Sequence, residues 1–213
     1  GAVDMASTLT LAGNADFNGD LDVDGTTNLD VIDVDGAANF AADVTFADGA
    51  DIITASAGTS NFRAGVNAGN SIVSGGNYNV AVGDEAGTAI STGDNNVAIG
   101  FKAMEDTTTG GESVAIGADA VKNVTTASAL TAVGYRALRD NTTGVHNTSV
   151  GHESLMVNTT GGQNTALGKY ALKANTTGDS NTSLGYNSLA TNTTGINNVA
   201  VGSTYLQANT TAN

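Results

Sequence analysis

Two groups of residues in this sequence have types and spacings that suggest chemistry, and the first suggests metal binding. Residues 20–25 read Asp-Leu-Asp-Val-Asp-Gly, the opening of a calcium loop, but the twelfth position is Val31, where such loops carry a bidentate glutamate. His146 and His152 lie near Glu153 without a recurring third ligand. We therefore interpret residues 20–25 as a solvated strand face and the histidines as surface residues, and we expect no metal site.

The second group is aromatic and basic. Phe101, Tyr135 and Tyr186 occupy the same position of a repeated phrase, and Tyr170 follows Lys169 one position later in the same register. Rings flanked by cations stack on sugars, so we predict Phe101, Tyr135, Lys169, Tyr170 and Tyr186 as receptor-binding residues. The alternative is that large rings cover the edges of a repetitive fold.

These residues belong to a 17-residue phrase that occurs eight times without a gap in residues 76–211. We number its positions as slots, so that the last copy has Gly195 at slot one and Thr211 at slot seventeen. Such regular spacing predicts identical coils stacked along one axis. Each copy has a glycine at slot eight: Gly83, Gly100, Gly117, Gly134, Gly151, Gly168, Gly185 and Gly202.

Slots five to seven predict a short strand. Slot five is Val or Thr, slot seven is Val, Ile or Leu, and slot six is always Ala or Ser. This alternation has the period of a β-strand. We expect the aliphatic side to face the coil's own core, and the small, uncharged side to pack against a neighbouring chain.

The rest of the phrase predicts turns. Uncharged residues at slots eight, eleven, twelve and fifteen have the spacing of one helical face, so we predict a single helical turn or tight bend there, with a second strand as the alternative. The later copies close with Asn-Thr-Thr-Gly, which is typical of a type I turn. Stacking of these turns predicts ladders of Asn and Thr along the fold.

The remaining segments differ in period. Residues 1–52 carry a looser repeat, eleven or twelve positions long, in which apolar residues alternate with Asp or Thr before a Gly. We predict an acidic β shaft there, with residues such as Leu21 and Ile32 from three chains packed around a shared axis. Residues 53–75 lose both periods and are predicted to be a junction, and residues 212–213 form a tail.

Composition narrows the function. The chain has 213 residues, no cysteine and a net charge of −14. Eleven Asp and one Arg give residues 1–75 a net charge of −10, and ten acidic and six basic residues give residues 76–213 a net charge of −4. Nucleic-acid binding needs clustered Lys and Arg, so we expect no such partner. No apolar run reaches the length of a membrane span, and no catalytic or cofactor motif occurs, so we expect neither membrane insertion, enzymatic activity nor a cofactor.

The phrases Asn96-Val-Ala-Ile-Gly100 and Asn198-Val-Ala-Val-Gly202 resemble the YadA-like head repeat of trimeric autotransporter adhesins. The longer phrase at residues 164–178 is similar to head-like repeats in bacteriophage tail fibres. The resemblance covers residues 76–211 and implies a parallel, interlocked homotrimer of left-handed β-rolls that attaches to surfaces. The repeat is longer than the usual adhesin unit, and no heptad stalk or membrane anchor is visible, which favours a phage fibre.

We therefore expect a mainly β protein, a parallel β-solenoid of the left-handed β-roll type in an interlocked homotrimeric fibre. The expected function is non-enzymatic attachment to a host glycan or protein receptor, with a location in a virion tail fibre or at a cell surface. One alternative is the head of a bacterial cell-surface adhesin. A second is an ice-binding solenoid that uses the threonine columns at slots sixteen and seventeen. A tailspike enzyme would need paired carboxylates, which the repeat does not supply.

Overall fold

The computed structural model describes residues 57–207 and 209–211. The predicted shaft, the calcium-like stretch at residues 20–25 and the tail lie outside the described residues. Nine three-residue strands form one parallel sheet in chain order. They are β1 (Phe62–Ala64), β2 (Val80–Val82), β3 (Val97–Ile99), β4 (Val114–Ile116), β5 (Thr131–Val133), β6 (Thr148–Val150), β7 (Thr165–Leu167), β8 (Thr182–Leu184) and β9 (Val199–Val201).

Successive strands pair in register, so that residues of one slot stack on each other. Ala98 in β3, for example, pairs with Ala81 in β2 and with Ala115 in β4. Strands β2 to β9 occupy slots five to seven of the eight copies. The predicted strand and the predicted parallel β-solenoid are therefore confirmed.

One further coil precedes the eight copies. β1 lies inside the segment predicted as a junction, and it pairs in parallel with β2. The step from Phe62 to its partner Val80 is one residue longer than the step between strands in the other coils. The extra residue lies after Val73, whose backbone N donates to Ser91 O at 3.1 Å. We number the coils 1 to 9 by the strands that they contain.

The interior of each coil holds slot six, which reverses the predicted orientation of the strand. Ala81 and Ala166 are completely buried within the single chain, whereas the aliphatic Leu167 is 46% exposed. The interior is narrow, because Ser149 Oγ at slot six donates across it to Ser154 O at slot eleven, at 2.8 Å. Alanine and serine fit this gap and larger side chains do not. The expectation that slot six packs against a neighbouring chain, with the aliphatic slots in the core, is therefore wrong.

Slots nine to fourteen form turns, and no helix occurs among the described residues. Arg136 and Leu138 have φ values of 55° and 52°, in the left-handed region that a right-handed helix excludes. The chain instead makes i→i+3 bonds, such as Asn141 N to Leu138 O at 3.2 Å. Of the predicted helical turn or tight bend, the bend is formed and the helical turn is not, although slots eleven, twelve and fifteen point inward. The described part of the chain therefore has no helix long and apolar enough to cross a membrane.

Asparagines at slot fifteen form the predicted ladder. Asn158 Nδ2 donates to Asn141 Oδ1 at 2.6 Å and to Gly161 O at 2.8 Å. Asn175 Nδ2 in turn donates to Asn158 Oδ1 at 2.8 Å. All three asparagines are completely buried, and a buried amide is stable only when its polar atoms are paired. The ladder therefore fixes the turn of each coil to that of the next.

Candidate functional site

The predicted receptor-binding residues follow directly after the strands, where slot eight turns the chain. Gly134 has a φ of 134°, and a Cβ there would lie 2.6 Å from Gly151 O in the next coil. Only glycine fits both this backbone conformation and this close stacking. The turn brings slots nine and ten, here Tyr135 and Arg136, to the surface of the coil.

Four rings from coils 5 to 8 lie in a continuous row, which we call the ring ladder. The ring centroids of Tyr135 and His152 are 5.2 Å apart, those of His152 and Tyr170 5.6 Å, and those of Tyr170 and Tyr186 6.2 Å. Aromatic pairs attract each other at such distances. The sequence analysis missed His152 as a member. Its position at slot nine, in the coil between Tyr135 and Tyr170, is the signal that could have identified it.

Phe101 lies outside the ring ladder. It occupies the same slot as Tyr186 and is equally exposed, at 51%. The next coil has Ala118 at slot nine, so the row of rings is interrupted there. Lys102 Nζ lies 5.4 Å from the centroid of the Phe101 ring. The structure thus brings together four of the five predicted residues and separates Phe101 from them.

Three cations lie beside rings of the ladder. The guanidinium carbon of Arg136 is 4.7 Å from the ring centroid of Tyr135. Lys169 Nζ and Lys173 Nζ are 4.7 Å and 4.6 Å from the ring centroid of Tyr170. At these distances the negative face of the ring attracts the cation. The ladder therefore combines apolar ring surface with positive charge.

Carboxylates neutralise two of the three cations. Arg136 Nε is 3.5 Å from Asp119 Oδ2, and Lys173 Nζ is 2.7 Å from Glu153 Oε2. The hydrogen bond from Lys173 holds the pKa of Glu153 below its ordinary value of 4.5, so that this carboxylate stays charged at a lower pH than an isolated glutamate does. Lys169 has no salt bridge to another described residue. It is the cation of the ladder that is available to an external anion.

Coils 2 to 5 carry alternating charges at slot ten: Glu85, Lys102, Asp119 and Arg136. Lys102 Nζ is 2.7 Å from Glu105 Oε1 and 2.9 Å from Glu85 Oε2. Hydrogen bonds to these two carboxylates raise the pKa of Lys102 above its ordinary range. Because the charges are paired along the row, we interpret it as a structural surface that joins neighbouring coils.

The outward side of the sheet is uncharged and largely apolar. It consists of slots five and seven in β2 to β9, which we call the apolar sheet face. Slot seven is aliphatic in every strand, and slot five is Val in β2 to β4 and β9 and Thr in β5 to β8. Ile99 and Ile116 are 36% and 38% exposed, and Leu184 is 41% exposed. The aliphatic row at slot seven is exposed in β3, β4 and β7 to β9 and half-buried in β2, β5 and β6. Contiguous apolar patches of this kind mark interaction surfaces.

Threonines form two columns along the solenoid. Those at slot sixteen are tied to the next coil, as where Thr159 Oγ1 donates to Thr176 O at 3.0 Å. Slot seventeen is Thr in all eight copies, and each of these residues is exposed. The second column is thus the more accessible row of hydroxyl groups.

The two histidines lie in different surroundings. His146 is exposed at slot three, and His152 lies between the rings of the ladder. Within residues 57–207 and 209–211, no group of three or more His, Cys, Asp or Glu residues is placed to hold a metal ion.

Comparisons with protein-family models, with curated proteins and with solved structures find no match to this chain. Its function therefore has to be argued from the surfaces described above.

Proposed function

We propose that the chain forms a non-enzymatic homotrimeric fibre that attaches to a host or cell surface, of the kind found in bacteriophage tail fibres. The observation that carries the proposal is the apolar sheet face. A contiguous row of exposed aliphatic residues is unusual on a monomer. Three copies that turn this face towards a common axis would bury it.

The repeat favours a parallel, in-register assembly. Each coil presents the same slots at the same axial spacing, so that one matched coil-to-coil contact between sister chains is repeated along the whole stack. The resemblance of the repeat to YadA-like heads supports the left-handed, interlocked form of this trimer. The head of a bacterial cell-surface adhesin would use the same assembly, and the bound receptor is a surface glycan or protein in either case.

Native mass tests the assembly. Sedimentation of the wild-type chain should give three times the chain mass of 21.0 kDa. Leu167→Lys on the apolar sheet face should yield smaller species, because it buries a charge at the interface. Thr177→Lys in the exposed threonine column is the matched control and should stay trimeric. A monomeric wild type would overturn the proposal.

Adsorption to cells tests the attachment. The fluorescently labelled chain, incubated with a panel of Gram-negative and Gram-positive bacteria, should bind some strains in a saturable manner that unlabelled chain competes away. Adsorption to none of the strains would count against an attachment function.

The exposed threonine column supports a second candidate, an ice-binding solenoid. A straight row of hydroxyl groups at coil spacing is the feature that such a function needs. The wild type should then show thermal hysteresis, and Thr177→Lys should reduce it without changing the native mass. Thermal hysteresis equal to that of a buffer control would eliminate this candidate.

A further inference from the structure

We infer that the ring ladder binds a linear polysaccharide that carries carboxylates on no more than every second sugar. The inference rests on the proposed attachment function and names the ligand class and the site for it. It depends on three features: the continuity of the rings, the order of the backbone that carries them, and one cation of the ladder that forms no salt bridge with another described residue.

The ladder suits an extended ligand made of flat repeating units. It supplies one ring per coil, at an axial spacing of roughly 4.8 Å, over coils 5 to 8. The C–H groups of a sugar ring carry partial positive charge and pack on the negative face of an aromatic ring. A polymer aligned with the solenoid axis can therefore contact several rings at once, whereas a compact ligand would reach only one or two.

The backbone under the ladder is already ordered. Glu153 N donates to Tyr135 O at 2.8 Å, and Tyr170 N donates to His152 O at 3.0 Å. Asn187 N, beside Tyr186, donates to Lys169 O at 2.9 Å. The residues that carry the rings are thus linked from coil to coil before a ligand arrives. Binding to residues on a pre-ordered backbone costs less conformational entropy than binding to residues on a mobile segment.

The charges favour a sparsely acidic ligand. Asp119 and Glu153 neutralise Arg136 and Lys173, which leaves the ammonium group of Lys169 to bind one carboxylate. A lysine acts as a point charge and needs only one such group nearby. The chain as a whole has a net charge of −14, so it repels densely charged polymers such as nucleic acids or heavily sulfated glycans.

The test measures binding of the full chain to four immobilised probes by biolayer interferometry. The probes are a hyaluronan octasaccharide, in which uronic acids alternate with neutral sugars, a neutral chitin-type octasaccharide, a heparin octasaccharide and single-stranded oligo-dT. We expect the hyaluronan probe to bind most tightly and the neutral probe more weakly. No binding of either, or tighter binding of heparin or oligo-dT, would overturn the inference.

Three variants locate the site. Lys169→Gln should weaken binding of the hyaluronan probe about tenfold and leave the neutral probe unchanged, because it removes one charge-assisted contact. Tyr186→Ala should weaken binding of both probes by about fivefold or more, by analogy with the loss of one stacked ring. Phe101→Ala is the matched control, with equal slot and exposure but no place in the ladder, and should bind like the wild type. An equal loss for Phe101→Ala and Tyr186→Ala would refute the site.

Adsorption of the same variants to bacteria separates this inference from the proposed function. If Tyr186→Ala and Lys169→Gln adsorb to cells as well as the wild type does, the ladder is not the receptor site, although attachment stands. If the wild type adsorbs to no cells, attachment itself is wrong. Parallel losses of cell adsorption and of hyaluronan binding would support both.

Discussion

Coils 2 and 6 build the same cross-section from different residues at two buried slots. Coil 6 has Leu155 at slot twelve and Asn158 at slot fifteen, whereas coil 2 has Gly87 and Ile90. A Cβ on Gly87 would lie 2.8 Å from Ile90 Cδ1, so the isoleucine occupies the space that a slot-twelve side chain fills downstream. The coil therefore requires that the interior space shared by slots twelve and fifteen be filled, but it does not require a particular residue type at either slot.

The outer surface changes over the same stretch of chain. Coils 2 to 5 carry alternating charges at slot ten, and coils 5 to 8 carry the ring ladder. The asparagine ladder, which begins at Asn141 in coil 5, lies in the same coils as the rings. One backbone thus supports a charge-paired segment with a largely apolar slot fifteen and a ring-bearing segment with a hydrogen-bonded asparagine at slot fifteen.

The largest effect is expected where the asparagine ladder is broken. Asn158→Leu removes three buried hydrogen bonds, leaves Asn141 Oδ1 without its donor and reduces Asn175 Nδ2 to its bond with Gly178 O. We expect the free energy of unfolding, measured by denaturant titration, to fall by about 3–5 kcal/mol. Ile90→Val, at the same slot in coil 2, should cost only about 1 kcal/mol. Equal losses of stability would show that hydrogen bonding at slot fifteen of coil 6 contributes no more than apolar packing at slot fifteen of coil 2.

Because the side chains at slots twelve and fifteen share one interior space, we predict that a second substitution at Ile90 compensates for a destabilising substitution at Gly87. Gly87→Leu forces a side chain against Ile90 and should lower the free energy of unfolding by about 2–3 kcal/mol. Gly87→Leu combined with Ile90→Asn converts coil 2 to the downstream type, with an amide placed to donate to Gly93 O. The double variant should recover at least half of the loss, measured as the coupling in a double-mutant cycle. Additive losses would contradict this compensation.

A smaller, stabilising effect is expected at slot fifteen of coil 3. Thr107 Oγ1 is buried without a hydrogen-bond partner among the described residues. Thr107→Val removes this unpaired polar atom at nearly constant shape and should raise the free energy of unfolding by about 1 kcal/mol. A shift of the thermal midpoint to lower temperature would show that the hydroxyl group has a partner after all.

The smallest expected effect is on the loss of stability at acidic pH. Lys173 lowers the pKa of Glu153 in the folded chain, so this pair contributes stability above the ordinary pKa of 4.5 and loses it as the pH falls through the lowered pKa. The contribution should be below about 1 kcal/mol, as for other surface pairs. Unfolding of Glu153→Gln at pH 7 and pH 3 should therefore show a smaller difference between the two pH values than the wild type does. An unchanged difference would assign the acid sensitivity to other groups.

Upstream, Glu105 gives a second measure of the same effect. Burial of this carboxyl raises its pKa, but hydrogen bonds from Lys102 and Lys122 outweigh burial and lower it. Glu105→Gln should therefore also reduce the acid sensitivity. If both variants show a smaller difference in the free energy of unfolding between pH 7 and pH 3, ion pairs in both the charge-paired and the ring-bearing segment contribute to the acid sensitivity.

The sequence predicted the stacking and the position of the strands, because a 17-residue period and a two-residue alternation can both be recognised in the amino-acid sequence alone. It did not predict which side of the strand is inside. Hydrophobicity assigns Leu167 to a core before Ala166, but the interior between slots six and eleven is too narrow for leucine, although the leucines of slot twelve fit inside the coil. A local signal existed: serine at slot six, as at Ser149 and Ser183, occurs in the coils with serine at slot eleven, as at Ser154 and Ser188.

The tight bend predicted at slots nine to fourteen is formed, and the helical turn predicted as its alternative is wrong for a different reason. The buried slots have the same spacing in a helix and in two linked turns, so periodicity cannot separate them. The backbone separates them through positive φ values at residues such as Leu138 and Leu155, a conformation that leucine rarely adopts. Coil 1 was not predicted, because the spacing from its strand to the next is one residue longer than in the other coils and places it out of phase with the repeat. Within the candidate site, the tyrosines and Lys169 were predicted from the sequence. The stacking of the coils shows that His152 belongs to the ring ladder and that Phe101 does not.

In-register stacking also has a consequence for the gene. A block of 17 codons encodes one complete coil, and slippage between neighbouring blocks during replication preserves the reading frame while it adds or removes a whole coil. Loss of residues 161–177 would place Gly178 after Thr160 in unbroken slot order and shorten the solenoid by about 4.8 Å. His152 and Tyr186 would then stand in adjacent coils. The length of the solenoid and the number of rings that it presents can therefore vary between descendants in discrete steps, without any new fold having to arise.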